Sequence, residues 1–105
     1  MRYSTKMNGE NGQKGFFRSR FSILGQAPRA WDSYLYWQKT DKAIVKRINA
    51  LIKDIQRNPF EGIGKPEPLK HALSGFWSRR INDEHRIVYK VTEDNILIAK
   101  LRYHY

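Results

Sequence analysis

The clearest pattern in the chain is an apolar stripe with helical spacing between residues 41 and 57. Apolar side chains recur there at intervals of three and four residues, which places them on one face of a helix. The stripe consists of Ile44, Val45, Ile48, Leu51, Ile52 and Ile55. Thr40 or Asp41 is expected to cap this helix. Asn58-Pro59 ends it, because the residue before a proline avoids helical geometry.

A shorter, aromatic-rich helix is expected to precede the stripe. Pro28 suits its first turn. Apolar and aromatic residues follow at helical spacing, and Trp31 and Trp37 are interpreted as belonging to the core and its rim. The weak alternation from Phe21 to Gln26 predicts a short strand before this helix.

The first 19 residues form a separate compositional segment. They are polar and basic, with repeated glycines and no hydrophobic period, so we predict a disordered basic extension. An RNA-contacting arm is the alternative. The remaining residues, 20–105, have the length of one domain.

The second half of the chain predicts a proline-rich loop followed by an antiparallel meander. Lys65-Pro66-Glu67-Pro68 stiffens the loop over residues 59–75 and can aim Glu67 in one direction. Alternating segments then predict three strands, Phe76–Ile81, His85–Val91 and Ile96–Tyr103. The expected fold class is α+β, with two N-terminal helices packed on one face of an antiparallel sheet.

The alternation along each strand predicts which side chains share a face. In the last strand Leu97, Ala99, Leu101 and Tyr103 are expected to face the helices, as are Ile87, Tyr89 and Val91 in the strand before it. The opposite, open face is then expected to carry Arg80, Arg86, Lys90, Lys100, Arg102 and His104. A bulge would shift any of these assignments by one residue.

Charge points to a polyanionic partner. Twenty Lys and Arg oppose ten Asp and Glu, a formal net charge of +10, and such a surface attracts phosphate backbones. The absence of cysteine excludes thiolate chemistry and disulfides. No apolar run reaches the roughly 18 residues that a membrane span needs, and no signal peptide is apparent, so the expected compartment is the cytoplasm.

The open face suggests RNA cleavage. RNA supplies its own nucleophile, the 2′-hydroxyl, so a base, cations and an acid are sufficient. Glu67 is the candidate base, Arg86 with Arg80 the candidate phosphate ligands, and His104 the candidate acid beside Tyr105. No metal or other cofactor is expected, since the acidic residues and histidines lack metal-site spacing. These residues alone leave a nuclease and a non-catalytic RNA binder equally open.

A resemblance to a known family favours the nuclease. The matching stretches are Trp31-Asp32, Tyr34-Leu35-Tyr36-Trp37, Ile52-Lys53-Asp54, Pro59-Phe60-Glu61-Gly62, Gly64-Lys65-Pro66-Glu67-Pro68-Leu69-Lys70-His71, Leu73-Ser74-Gly75-Phe76-Trp77-Ser78-Arg79-Arg80-Ile81, Glu84-His85-Arg86 and Arg102-Tyr103-His104-Tyr105. Together they resemble the YoeB toxins of the RelE superfamily, over residues 31–105.

The resemblance implies roles for individual residues. The family's general base falls on Glu67, its phosphate-binding arginine on Arg86, and its general acid and substrate-orienting aromatic on His104 and Tyr105. Lys70 and Arg80 match basic positions around the family's active site, and Lys100 and Arg102 join them as candidate RNA contacts through the predicted open face.

The resemblance also implies a fold, an activity and partners. The fold is the RelE-like microbial ribonuclease type, often dimeric. The activity is ribosome-dependent, metal-independent cleavage of mRNA in the ribosomal A site, which inhibits translation, and the antitoxin is YefM-like. A non-catalytic ribosome-binding translation inhibitor remains the alternative, as does a protein that only titrates an antitoxin or represses its operon.

Overall fold

The structure, a computed structural model, describes residues 28–93 and 95–103 in full and residues 22–26 as backbone. The predicted extension over residues 1–19 therefore lies outside the described residues. The same holds for the candidate acid His104 and its neighbour Tyr105.

Two helices occupy the first half of the described chain. Helix α1 spans Pro28–Thr40 and helix α2 spans Lys42–Arg57. Asp41 caps α2, because its carboxylate accepts hydrogen bonds from the amides of Ala43 and Ile44 at 3.1 and 3.3 Å. Within the described chain, neither helix combines the length and apolarity that a membrane crossing requires.

In the described part of the chain, five strands form one sheet in the order β1-β5-β4-β3-β2. Their bounds are Ser22–Gln26 for β1, Glu67–Pro68 for β2, Phe76–Arg80 for β3, Arg86–Thr92 for β4 and Asn95–Lys100 for β5. Strand β1 runs parallel to β5, and the other pairs are antiparallel. The predicted α+β class is confirmed, with the weakly predicted first strand added along the free edge of β5.

The core lies between the helices and one face of the sheet. The α2 stripe contributes Ile48, Leu51 and Ile55, each without solvent exposure. The sheet contributes Ile87 and Tyr89 from β4, as their alternation predicted. Trp37 joins this core, whereas Trp31 lies half-exposed on α1, which agrees with the assignment of the two tryptophans to core and rim.

The predicted facing of the last strand is wrong in its first part. Ile96 and Ile98 are fully buried in the core, so Leu97 and Ala99 belong to the opposite face. The reason is a bulge: Tyr89 pairs with Ile98 and Val88 with Lys100, which leaves Ala99 as an extra residue. Past the bulge Leu101 returns to the core, as predicted. The predicted core facing of Tyr103 is wrong as well, since this residue lies beyond the strand and is 51% exposed. The strand ends at Lys100 rather than at Tyr103.

Candidate active site

The strand register assembles a row of side chains across four strands. Glu67 pairs with Ser78, Ser78 with Val88, and Val88 with Lys100. Directly opposed residues point to the same side of a sheet. Since Tyr89, next to Val88, faces the core, this row lies on the opposite, open face. Its central members Ser78 and Val88 are themselves buried, and Glu67 and Lys100 are its charged members.

Two arginines form the neighbouring row on the same face. Arg80 on β3 pairs directly with Arg86 on β4. Arg80 lies two residues beyond Ser78, so Glu67 and Arg80 are diagonal neighbours with Cα atoms about 7–8 Å apart. A carboxylate and a pair of guanidinium groups therefore share one surface of the sheet.

The two arginines differ in their freedom. Arg80 is exposed. Arg86 is only 8% exposed, and its Nη1 lies 2.6, 3.2 and 3.1 Å from the carbonyl oxygens of Asn82, Asp83 and His85. The turn before β4 thus fixes the direction of the Arg86 guanidinium, whereas Arg80 can follow a bound anion.

Glu67 is exposed on a backbone that is docked onto the sheet edge. The Leu69 amide donates to the Phe76 carbonyl at 2.9 Å, and the Arg80 amide donates to the Gly64 carbonyl at 2.6 Å. The proline-stiffened segment is therefore a short edge strand rather than a free loop. A concavity of about 310 Å³ beside it is lined by Glu67, Pro68, Leu69, Lys70, His71 and Leu73.

A buried arginine cluster holds the loop that leads to Glu67. Arg79 has no solvent exposure, and its Nη1 donates to Asp54 Oδ2 at 2.6 Å. Its other hydrogen bonds reach the carbonyl oxygens of Asn58, Glu61 and Ile63 and the Tyr89 hydroxyl. These groups, called here the Arg79 cluster, join α2, β3 and β4 to residues 58–63.

Gly62 lets this loop approach α2 closely. Its φ is +133°, and a Cβ at this position would lie 1.9 Å from Asp54 Oδ2. Only glycine has both the required backbone freedom and the required lack of a side chain. Sequence reasoning gave Arg79 no role. The available signal was a charged residue alternating with Trp77 and Ile81 on an otherwise apolar face.

Two ionisable groups in the Arg79 cluster have displaced pKa values. Burial alone raises the pKa of the Asp54 carboxyl, but hydrogen bonds from Arg57, the Ile63 amide and Arg79 outweigh burial and hold it below 3.8. Burial raises the pKa of the Tyr89 hydroxyl above 10.0, although Arg79 opposes that rise. Asp54 therefore stays ionised and Tyr89 stays protonated across the neutral range.

A second concavity, of about 570 Å³, lies between α1, Val88 and the end of β5. Its lining residues are Arg29, Asp32 and Ser33 from α1, together with Leu73, Phe76, Val88, Ala99, Lys100, Arg102 and Tyr103. The Arg102 guanidinium stacks 3.7 Å from the centre of the Tyr36 ring. Of the predicted RNA contacts, Lys70 thus lines the smaller concavity, and Lys100 and Arg102 line the larger one.

The chain beyond β5 is held by two side chains and by a backbone hydrogen bond from the Arg86 amide to the Tyr103 carbonyl. The Trp37 indole donates to the Leu101 carbonyl at 2.9 Å, and the Tyr103 amide donates to His85 Nδ1 at 2.7 Å. Sequence reasoning expected a strand to hold this tail and did not single out His85. Within residues 28–93 and 95–103, no group of three or more His, Asp or Glu residues is arranged to hold a metal ion.

A family model described as the YoeB-like toxin of bacterial type II toxin–antitoxin systems matches residues 26–105. This chain belongs to the YoeB toxin family. The toxin YoeB of Escherichia coli strain K12 is 74% identical over 76 residues, which are 72% of this chain and 90% of the relative.

Solved structures of YoeB toxins share this fold. The YoeB dimer of Staphylococcus aureus has a TM-score of 0.75 at 53% identity and matches 82% of this chain and 99% of its own. The heterotetrameric YoeB–YefM toxin–antitoxin complex of the same organism has a TM-score of 0.74, also at 53% identity, with the same coverage. The expected RelE-like fold and the resemblance to YoeB are therefore confirmed.

Proposed function

We propose that this YoeB-family toxin is a ribosome-dependent endoribonuclease that cuts mRNA in the ribosomal A site and so inhibits translation. The observation that supports this most directly is the position of Glu67. It shares the open face with the paired arginines Arg80 and Arg86. The chain that carries these residues belongs to the YoeB toxin family.

The reaction follows from the chemistry of RNA. Glu67 takes the proton of a 2′-hydroxyl, and the freed oxygen attacks the adjacent phosphorus. Arg86 and Arg80 stabilise the added negative charge on the phosphate oxygens. His104 donates a proton to the departing 5′-oxygen, with Tyr105 orienting the substrate. The products are a 2′,3′-cyclic phosphate and a 5′-hydroxyl end, and no step requires a metal.

The remaining candidate basic residues serve to bind RNA. Lys70 lines the concavity beside Glu67, and Lys100 and Arg102 line the concavity beside Val88. Their charges contact the phosphate backbone, and the net charge of +10 draws the protein to the ribosome.

The partners follow from the relatives. Solved structures of S. aureus YoeB include a dimer and a heterotetrameric complex with YefM. We therefore propose a YefM-like antitoxin as the partner of this toxin, a homodimer as its assembly, and the cytoplasm, where ribosomes work, as its compartment.

The test is induction of the gene without its antitoxin, in wild-type, Glu67→Gln and His104→Ala forms, followed by mapping of transcript 5′ ends. We expect growth arrest and new 5′-hydroxyl ends within translated codons for the wild type only. Equal growth of all three strains would refute the toxin activity. Arrest without new ends would replace the nuclease with the alternative, a non-catalytic ribosome-binding inhibitor.

A further inference from the structure

Tyr103, the last described residue, adopts an unusual backbone conformation. Its φ is +64°, in the left-handed region that bulky side chains rarely occupy. Such a conformation persists when surrounding contacts determine it, and it occurs preferentially at functional sites. The contacts that hold Tyr103 therefore matter for the two residues that follow it.

Both backbone polar groups of Tyr103 are bound by consecutive residues. The Tyr103 amide donates to His85 Nδ1 at 2.7 Å, and the Tyr103 carbonyl accepts from the Arg86 amide at 3.0 Å. The first contact uses a side chain and the second uses backbone. A substitution can therefore remove the His85 contact while it leaves the Arg86 contact in place.

His85 is itself held firmly. It is 6% exposed, and its ring meets the Trp37 ring edge-on, with centroids 4.8 Å apart and planes at 71°. Trp37 in turn binds the Leu101 carbonyl. Since Nδ1 accepts a hydrogen bond, the proton of the neutral ring lies on Nε2, 3.6 Å from Glu84 Oε1.

We propose that His85 is a positioning residue: its Nδ1 holds Tyr103 in the left-handed conformation that sets the course of the chain into His104 and Tyr105. The proposal rests on the proposed function, because it gives His85 a role in placing the candidate acid. Small displacements of a catalytic group slow chemistry more than they weaken binding.

The substitutions His85→Asn and His85→Leu separate the hydrogen bond from the packing. The Asn Oδ1 occupies the position of Nδ1 and can accept from the Tyr103 amide, whereas Leu fills space without an acceptor. Single-turnover cleavage of mRNA on saturating ribosomes is the measurement. We expect His85→Leu to slow cleavage about 100-fold with ribosome affinity unchanged. We expect His85→Asn to recover most of the rate.

Exchange of the Tyr103 amide hydrogen provides a readout that does not depend on activity. We expect slow exchange in the wild type and in His85→Asn, and fast exchange in His85→Leu. Ile55→Val, a substitution in the core on α2 at a position distant in sequence from Tyr103, serves as the control for a general loss of stability. It should leave both the exchange of Tyr103 and the cleavage rate near wild-type values.

Several outcomes would overturn the proposal. Cleavage by His85→Leu at the wild-type rate would do so. An equal loss of cleavage rate in His85→Leu and His85→Asn would also do so, if the Tyr103 amide of His85→Asn still exchanges slowly. If the wild-type protein itself fails to cleave, the proposed function fails and the catalytic consequence of His85 fails with it. Amide exchange would still decide whether His85 holds the tail.

Discussion

The buried side chain of Arg79 connects several elements of this small protein. Its guanidinium meets a carboxylate, a phenol and three backbone carbonyls, and no part of the residue reaches solvent. These partners belong to α2, to β4 and to the loop over residues 58–63. Because that loop leads directly to Glu67, the Arg79 cluster stabilises the backbone that carries the candidate base.

Removing Arg79 is expected to destabilise the fold strongly. Arg79→Met removes one of the two guanidinium partners of the buried Asp54 carboxylate, and breaking a buried ion pair typically costs about 3–5 kcal/mol. The adjacent Arg80 is exposed, so Arg80→Met should change the free energy of unfolding by less than about 0.5 kcal/mol. Denaturant unfolding of the two variants measures the difference. Similar stabilities would contradict a structural role for the Arg79 cluster.

Asp54 predicts how stability responds to acid. Its folded-state pKa lies below 3.8, so the unfolded chain binds a proton more readily than the folded protein does. The contribution of Asp54 is therefore fully present above pH 3.8 and is lost as the pH falls through the lowered pKa.

Unfolding experiments at a series of acidic pH values check this pH dependence. Asp54→Asn cannot ionise, so its free energy of unfolding should be lower than that of the wild type at neutral pH and should fall less steeply in acid. Parallel curves for the two proteins would show that Asp54 does not provide the acid-sensitive stabilisation.

At the scale of elements, α2 was predictable because every local signal agrees. The apolar stripe, the cap at Asp41 and the stop at Asn58-Pro59 all specify the same helix. Strand β5 was not predictable to the same degree. Its central residues Leu97, Ile98 and Ala99 are all apolar, so alternation gives no unique facing, and the bulge at Ala99 is visible only in the pairing with β4.

The cap of α2 offers a prediction at this scale. Asp41→Ala removes an acceptor for two amides at the start of the helix, which should cost about 1 kcal/mol. Asp41→Asn keeps an acceptor oxygen in the same place and is the matched control. Thermal unfolding of both variants measures the effect, and an equal loss in the two would attribute it to charge rather than to capping.

At the scale of the whole molecule, the candidate site depends on register. Alternation along the strands already placed Arg80 and Arg86 on one face, but only the pairing of β2 with β3 adds Glu67 to that face. Two features were not predictable: the burial of Arg86 against the carbonyl oxygens of the preceding turn, and the hydrogen bond between His85 and the Tyr103 amide. Both depend on hydrogen bonds to backbone groups, which leave no periodic pattern in a sequence.

We propose that this surface cleaves RNA with Glu67 as the base. The most direct measurement uses purified toxin, ribosomes with a defined mRNA codon in the A site, and the Glu67→Gln variant as the isosteric control. We predict cleavage with a 5′-hydroxyl end by the wild type and a rate lower by about 100-fold or more for Glu67→Gln. Uncut mRNA on inhibited ribosomes, or equal cleavage by Glu67→Gln, would contradict the account.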